Sequence, residues 1–478
     1  MEKVADFIAQ LAELVGSRHV ITSESDKQPY LTENRGLYKG KALAVVRPRD
    51  ATEIVQIVNV CRENGILISP QGGNTGLVGG QIPEVGQRVE PVSAIIISLS
   101  RMDTIQFVDT INGAITVEAG VTLQAVQEAA AEAGCLFPLS LASQGSCQIG
   151  GNIASNAGGT AVLRYGNMRN LVLGLEVVLP DGTLWNGMSS LRKDNAGYDL
   201  KQIFIGSEGT LGIITRAVLK LYPAVRSSTT AFIGLSSPQM ALEFFLAAQD
   251  QSGEVLSAFE IMPRFGLEMV VKHMGGIDPF AEAHPFYVLI ELSSASLFSN
   301  TASGMEQILE SASKANIIND AVIASCQMQA DKIWSLRENM SWAQKYEGGS
   351  IKHDVSVPIS KVADFINQAS DLCQNAMPGI RICAFGHIGD GNIHFNLSQP
   401  IGMEIQDFIS KWAFFNRIVH DLVVSMGGSI AAEHGIGQLK LNELAFYKDD
   451  VSLHLMRSLK NALDPHKIMN MGKVVYPT

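Results

Sequence analysis

The sequence predicts an α+β protein built from more than one domain. Three observations predict it. The chain has 478 residues, more than one hydrophobic core usually organises. Strand-like and helix-like runs alternate from about residue 40. The character of the chain then changes near 222–226, after "ITRAVLKLYPAV". Glycine-rich loops among strands fill the part before that point. Helices mixed with the strands of an antiparallel sheet follow it, and the last stretch is helical. The expected limits are 1–225, 226–430, and a C-terminal segment 431–478 that packs back on the first domain.

The elements follow from local pattern. "MEKVADFIAQLAELVGS" is an amphipathic helix. "ALAVVRP" reads as a strand. "DATEIVQIVNVCREN" reads as a helix capped by Asp50, with Ile54, Val55, Val58 and Cys61 on one face. "ILISP", "AIIISLS", "FVDTINGAITVEAG" and "LVLGLEVVLPDGTLW" are strands and hairpins, the last turning at Asp181-Gly182. "TLQAVQEAAAEAG" is a helix stopped by Gly134. Beyond the change of character, "PQMALEFFLAAQDQ" and "GMEQILESASKAN" are helices. "SAFEIM", "FYVLIEL", "IRICAFGHI" and "IHFNLS" are strands. "DDVSLHLMRSLKNALD" is a further amphipathic helix ending at Asp464-Pro465.

Composition removes several function classes. Apolar residues make up 46% of the chain and charged ones 17%, so the domains are well packed. The formal charge of −11 argues against a nucleic-acid partner, whose phosphates require a basic surface. Six cysteines without a CxxC pair read as reduced, buried thiols. The N-terminal helix contains acids and is followed by no small-residue cleavage site, so it is not read as a signal peptide. No apolar run reaches the length of a membrane span. The expectation is a soluble, cytoplasmic protein, with peripheral attachment to the inner membrane left open.

Three loops carry the first site. "PQGGNTGLVGG" follows a strand and sets small residues where a side chain would block a ligand. Consecutive N–H groups in such a loop converge on anions. The lysine of a P-loop is missing, and so is the GxGxxG spacing. "SQGSCQIGGNIASNAGG" and "IGSEGTLG" have the same character. Together they suggest a long, uncharged cleft for a dinucleotide. A Gly-rich surface turn remains the bland alternative for any one of them.

A hairpin carries the second site. In "FGHIGDGNIHFNL", a loop of Gly389, Asp390, Gly391 and Asn392 would set Ile388 opposite Ile393 and His387 opposite His394. Directly opposed residues share a face, and two imidazoles there can share one metal. Phe385 would then oppose Asn396. The bland alternative is a pair of structural histidines. "GGSIAAEHGIG" adds Glu433 and His434 in a strand-like run, where neighbours point to opposite sides. Glu433 can thus complete a His₂Glu set for Zn²⁺, with Mn²⁺ or Co²⁺ as substitutes. In "WSLRENMSWAQKYEGGSIKHDVSVP", Arg337 and Ser341 are four apart and would share a helix face, where an arginine can grip a carboxylate; surface charges on an amphipathic helix are the bland alternative.

Taken together, the loops, "SLRKDNAGYDLKQIFIGSEGTLGIIT", "GHIGDGNIH", "AAEHGIG" and "LDPHKIMNMGKV" resemble the D-2-hydroxy-acid dehydrogenases among the vanillyl-alcohol-oxidase-type flavoproteins. The resemblance runs from about residue 25 to the end. It implies a vanillyl-alcohol-oxidase-type FAD-binding domain and an α/β substrate domain. It places FAD on Pro70, Gly72, Gly73, Asn74, Thr75, Gly76, Ser146, Gly150, Gly151, Asn152, Asn156, Gly159, Gly209, Ile214 and Asn470. The flavin is expected to be non-covalent, since no histidine lies between His19 and His273. The resemblance implies metal ligands His387, His394 and Glu433, with His434 as the base. Arg337, Ser341 (where threonine is usual), Lys352, Asn392 and Asn396 would hold the substrate. The implied reaction oxidises a D-2-hydroxy dicarboxylate, D-2-hydroxyglutarate or D-malate, to the 2-oxo acid. Hydride passes to flavin N5 and electrons pass to an electron-transfer flavoprotein or quinone. Oxidation of D-lactate or glycolate is the alternative. A homodimer is the base-rate expectation.

Overall fold

Asp50 opens the first long interior helix as its pattern requires. Its carboxylate accepts from the Glu53 N–H at 2.9 Å, and Gly65 closes the helix in the left-handed region at φ 64°. The buried face is Glu53, Ile54, Ile57, Val58 and Cys61, so Ile57 takes the place expected for Val55. At 3.6 residues per turn, 54, 57, 58 and 61 make the tighter stripe.

The computed structural model describes residues 2–83 and 93–476. They divide into two units: 1–159, 166–224 and 433–478 form the first, and 160–165 with 225–432 form the second. The first unit holds three sheets. Strands β1 (Val20–Ile21), β2 (Val45–Val46), β3 (Leu67–Gln71) and β4 (Ala94–Ser98) form one in the order β1-β2-β4-β3, with β2, β4 and β3 parallel. The strand expected over 42–48 shrinks to β2. Strands β5 (Ile105–Asp109), β6 (Ala114–Glu118), β8 (Val172–Val178), β9 (Leu184–Gly187) and β10 (Ile213–Lys220) form an antiparallel sheet, β5-β6-β10-β8-β9. β7 (Cys135–Leu136) and β11 (Tyr222–Pro223) make a short pair.

The C-terminal segment of this unit extends the first sheet. Ile68 donates its N–H to the Ile468 carbonyl at 2.8 Å, and the Asn470 N–H returns to the Ile68 carbonyl at 2.7 Å. Lys460 locks the segment from inside. Its buried ammonium donates to the Thr210 carbonyl (2.7 Å), the Asp464 carboxylate (2.5 Å) and the Met469 carbonyl (2.7 Å).

The second unit is one antiparallel sheet between two helical layers. Its strands are β12 (Ser227–Leu235), β13 (Leu256–Pro263), β14 (Phe286–Ser294), β15 (Asp320–Ile323), β16 (Ser350–Ser356), β17 (Arg381–His387) and β18 (Asn392–Ser398), in the order β15-β12-β14-β13-β17-β18-β16. Helices Pro238–Ser252, Thr301–Lys314, Val362–Ala376 and Trp412–Ser425 bury one face against Ala231, Ile261, Ile290, Ile393 and Phe395. Helices Arg264–Met274 and Gln327–Glu338 cover part of the other, around Phe232, Tyr287, Leu289 and Phe385. Where helices cover both faces the strands carry apolar runs, as in "FYVLI" of β14.

Three local expectations are corrected. The β17–β18 link is Ile388–Gly391, one residue earlier than read from the sequence. The Gly391 N–H donates to the Ile388 carbonyl at 3.2 Å, with Gly391 at φ 79°. A Cβ on Gly391 would lie 2.1 Å from the Val357 carbonyl, so the turn closes there and Asn392 enters the strand. Next, the helix carrying Arg337 ends at Glu338. Asn339 caps it, and Ser341, exposed to solvent, lies in a separate helix, Met340–Ala343. Finally, Ala431–Gly437 is a loop and not a strand, with Gly435 and Gly437 at positive φ. Strand alternation therefore does not govern Glu433 and His434.

Candidate functional site

In the first unit, the ends of β3 and β10 and the helix Ile149–Ala154 enclose a cleft. Its wall contains Pro70, Gly72, Gly73, Asn74, Thr75, Gly76, Gly150, Gly151, Asn152, Gly209 and Ile214, and also His434. The glycines are there because backbone approaches backbone. A Cβ on Gly73 would lie 1.9 Å from the Ser146 carbonyl oxygen, and one on Gly150 would lie 2.8 Å from Ala119 Cβ. A Cβ on Gly151 would meet no protein atom within 4 Å, because it would project into the cleft. Asn74 adopts φ 55°, and its amide donates to the Pro29 and Thr32 carbonyls, both at 2.9 Å. What Asn74 can offer a phosphate is therefore backbone N–H.

The remaining expected cofactor residues do not line this cleft. The Ser146 side chain is exposed and bonds the Ser143 carbonyl. Asn156 accepts from the Arg169 N–H at 2.9 Å. Gly159 donates its N–H to Glu433 Oε1 at 2.8 Å. Asn470 ties the Gly80 and Glu208 carbonyls together through Nδ2, at 2.9 and 2.7 Å. Two wall residues escaped the sequence reading. The buried Gln148 Oε1 has no hydrogen-bond partner among the described residues, an acceptor suited to a ligand N–H or O–H. Glu208 brings a carboxylate to a cleft expected to be uncharged. Its two oxygens accept from the Ile436 and Gly437 N–H groups, each at 2.8 Å, which fixes the loop that carries His434. Burial raises its pKa, and those two bonds oppose the rise.

In the second unit, register alone assembles a polar face. Across β16, β18 and β17 it reads Lys352–Asn396–Cys383, then Asp354–His394–Phe385, then Ser356–Asn392–His387, and Glu260 on β13 extends the last row. The ladder is shifted by an even step from the expected pairing. His387 opposes Asn392 and Phe385 opposes His394, yet both histidines keep the same face. They are diagonal neighbours with ring centroids 5.9 Å apart. A buried carboxylate accompanies each ring on its Nδ1 side. Glu260 Oε1 bonds His387 Nδ1, and Asp354 Oδ1 lies 3.7 Å from His394 Nδ1. An imidazole held through Nδ1–H presents Nε2 as its donor atom, the arrangement that suits a divalent ion. Both polar atoms of the Asn392 amide are buried without a partner among the described residues.

The other substrate candidates sit around this face. Arg337 is buried, donates from Nε to Glu260 Oε2 at 2.7 Å, and stacks its guanidinium 4.7 Å from the Phe385 ring centroid. Lys352 Nζ reaches the Ser341 carbonyl at 3.4 Å. Asn396 donates to Gln344 Oε1 at 3.0 Å, and Gln344 in turn bonds Ser398. Glu260 was missed, although an acid inside the apolar run "SAFEIM" was the available signal. Burial alone would raise its carboxyl pKa, but the hydrogen bonds and electrostatic attraction of His387 and Arg337 outweigh that and hold it at about 2. Glu433 and His434 belong to the first unit.

Comparison with known proteins agrees with both units. Residues 42–187 match the family described as "FAD binding domain", and 225–474 match "FAD linked oxidases, C-terminal domain". A D-2-hydroxyglutarate dehydrogenase of Danio rerio is 37% identical over 439 residues, covering 91% of this chain and 79% of the relative. One of Bos taurus is 36% identical over 476 residues, covering 98% and 83%. The solved structure of p-cresol methylhydroxylase superposes with a TM-score of 0.77 at 17% identity, over 99% of this chain and 97% of that one, a likeness of fold. Fold and cleft define an FAD-dependent oxidoreductase. The chain belongs to the FAD-linked oxidase family, in the group that contains the D-2-hydroxyglutarate dehydrogenases. The cytoplasmic location expected from the sequence is overturned, since both relatives are named as mitochondrial. The lack of a secretory pattern in the sequence as read does not choose among compartments. No helix among the described residues is long and apolar enough to cross a membrane.

Proposed function

We propose that this enzyme oxidises a D-2-hydroxy dicarboxylate, D-2-hydroxyglutarate first and D-malate second, to the 2-oxo acid. One observation carries the choice of a dicarboxylate. Two cations, Arg337 and Lys352, border the polar face that also holds His387, His394 and Asn392, whose buried amide has no partner among the described residues. A monocarboxylic acid has no use for the second cation. Bound FAD supplies the redox chemistry. A divalent ion, Zn²⁺ or Mn²⁺ or Co²⁺, would polarise the C2 hydroxyl; the ligand set read from the sequence is His387, His394 and Glu433. His434 takes the hydroxyl proton, a role supported by its place in the wall of the cofactor cleft. Arg337 and Lys352 bind the distal carboxylate, Asn392 and Asn396 orient the polar end, and Ser341 contributes its backbone contact with Lys352. An electron-transfer flavoprotein or a quinone takes the electrons onward.

Oxidation of D-lactate or glycolate is the second reading. It is favoured by one fact: Glu260 already balances part of the Arg337 charge. Anaerobic reduction of the flavin by D-2-hydroxyglutarate, D-malate, D-lactate, glycolate and L-2-hydroxyglutarate decides between them. The dicarboxylate reading expects the highest kcat/KM with D-2-hydroxyglutarate. A higher value with D-lactate or glycolate ends it. Chelator should abolish turnover and Zn²⁺ or Mn²⁺ should restore it, while full turnover of metal-free enzyme removes the ion from the scheme.

A further inference from the structure

We propose that Glu260 is a positioning residue that couples the ion-binding histidine to the substrate-binding arginine; this rests on the function proposed above. Glu260 lies within β13, directly opposite His387 on β17, and has no exposed surface. Each of its oxygens serves one partner. Oε1 takes His387 Nδ1, and Oε2 takes Arg337 Nε at 2.7 Å. A carboxylate stripped of water persists only where its charge is matched, and here the two matching groups have different tasks.

The contacts close on themselves. The Arg337 guanidinium lies over Phe385, the Phe385 ring centroid is 5.1 Å from that of His394, and His394 stands 5.9 Å from His387. Glu260 joins His387 back to Arg337. Holding Nδ1 sets the tautomer and rotation of His387 and so aims Nε2. Holding Nε sets the plane of the Arg337 fork, and a carboxylate is read by that plane. One side chain therefore aims two groups at the same substrate. Neither can turn without disturbing the other.

Glu260→Gln separates the roles. An amide offers one acceptor oxygen, so either His387 or Arg337 is left facing an N–H. The full-length, FAD-loaded protein is stripped with chelator and titrated with Zn²⁺ by calorimetry. Co²⁺ then replaces Zn²⁺ to report ligand geometry through its visible bands. Glu260→Gln is expected to keep FAD, to bind Zn²⁺ about 10- to 100-fold more weakly, and to alter the Co²⁺ spectrum. KM for D-2-hydroxyglutarate rises more than KM for D-lactate, and Glu260→Asp, which keeps the charge, recovers part of both. If Glu260→Gln fails to load FAD, Arg337→Lys reads the same coupling. Among the described residues the side-chain bond of Arg337 toward a proposed ligand runs through Glu260, so its substitution should weaken Zn²⁺ binding. Zn²⁺ affinity equal to wild type in the variant that folds overturns the role of Glu260 alone. A wild-type protein that binds none of Zn²⁺, Mn²⁺ or Co²⁺ overturns the ion reading and this inference with it.

Discussion

Gly73→Ala tests whether the glycine loops exist to let backbone approach backbone beneath FAD. The new methyl would sit 1.9 Å from the Ser146 carbonyl oxygen, 2.8 Å from its carbon and 3.2 Å from Cys147 Cα. These are backbone atoms, so no side chain can swing away. Normal contact requires one loop to retreat by about 1 Å or more. Overpacking of this kind costs about 1–3 kcal/mol, equivalent to a roughly 5- to 150-fold change in affinity if the strain falls on the bound state. Titration of the apoprotein with FAD, followed by quenching of flavin fluorescence, measures it. Gly151→Ala is the informative partner, because its methyl meets open space in the cleft wall. It should leave the melting temperature of the apoprotein unchanged and weaken FAD alone. Gly73→Ala should lower both. Wild-type FAD affinity and wild-type melting in Gly73→Ala would show that the loops are not in contact as described, and the cleft geometry would have to be abandoned.

Other perturbations reach different links. His434→Ala should retain FAD and slow flavin reduction by D-2-hydroxyglutarate about 10²- to 10⁴-fold; rapid-mixing reduction at the wild-type rate would exclude it as the base. Lys460→Met should destabilise the protein by about 3–5 kcal/mol in chemical denaturation, because it leaves the buried Asp464 carboxylate without its cation. Glu347 accepts from Lys272 at 2.8 Å and His273 at 2.6 Å and also bonds Arg381, which together hold its pKa at about 2. A depressed carboxyl pKa stabilises the fold above the unfolded value and is lost as pH falls through the folded one. The stability gap between wild type and Glu347→Gln should therefore be full above about pH 4.5 and close toward about pH 2. A gap that persists at pH 2 would contradict it.

Much of this molecule was legible in one dimension because its signals are local. Asp50 capped its helix, Gly134 and Gly182 took the left-handed turns their positions demanded, and the apolar runs of β13 and β14 became buried strands. The glycine clusters marked the cleft, since only residues without a Cβ let β3, the 143–159 loop and the 205–212 loop converge. His387, His394 and Asn396 were placed on one face by alternation, and an even shift in register could not undo that. What the sequence could not determine were the partnerships made by distant segments. A one-residue change in where the turn closes was set by the Val357 carbonyl, 34 residues away in the chain. The break at Asn339 separated Ser341 from Arg337, and side-chain bonds to Pro29 and Thr32 claimed the amide of Asn74. Glu260 is the clearest case. In the sequence it is one acid in an apolar strand. Only the pairing of β13 with β17, together with the packing of the Gln327–Glu338 helix, brings it between His387 and Arg337, because a buried carboxylate is tolerable only where the fold delivers its counter-charges.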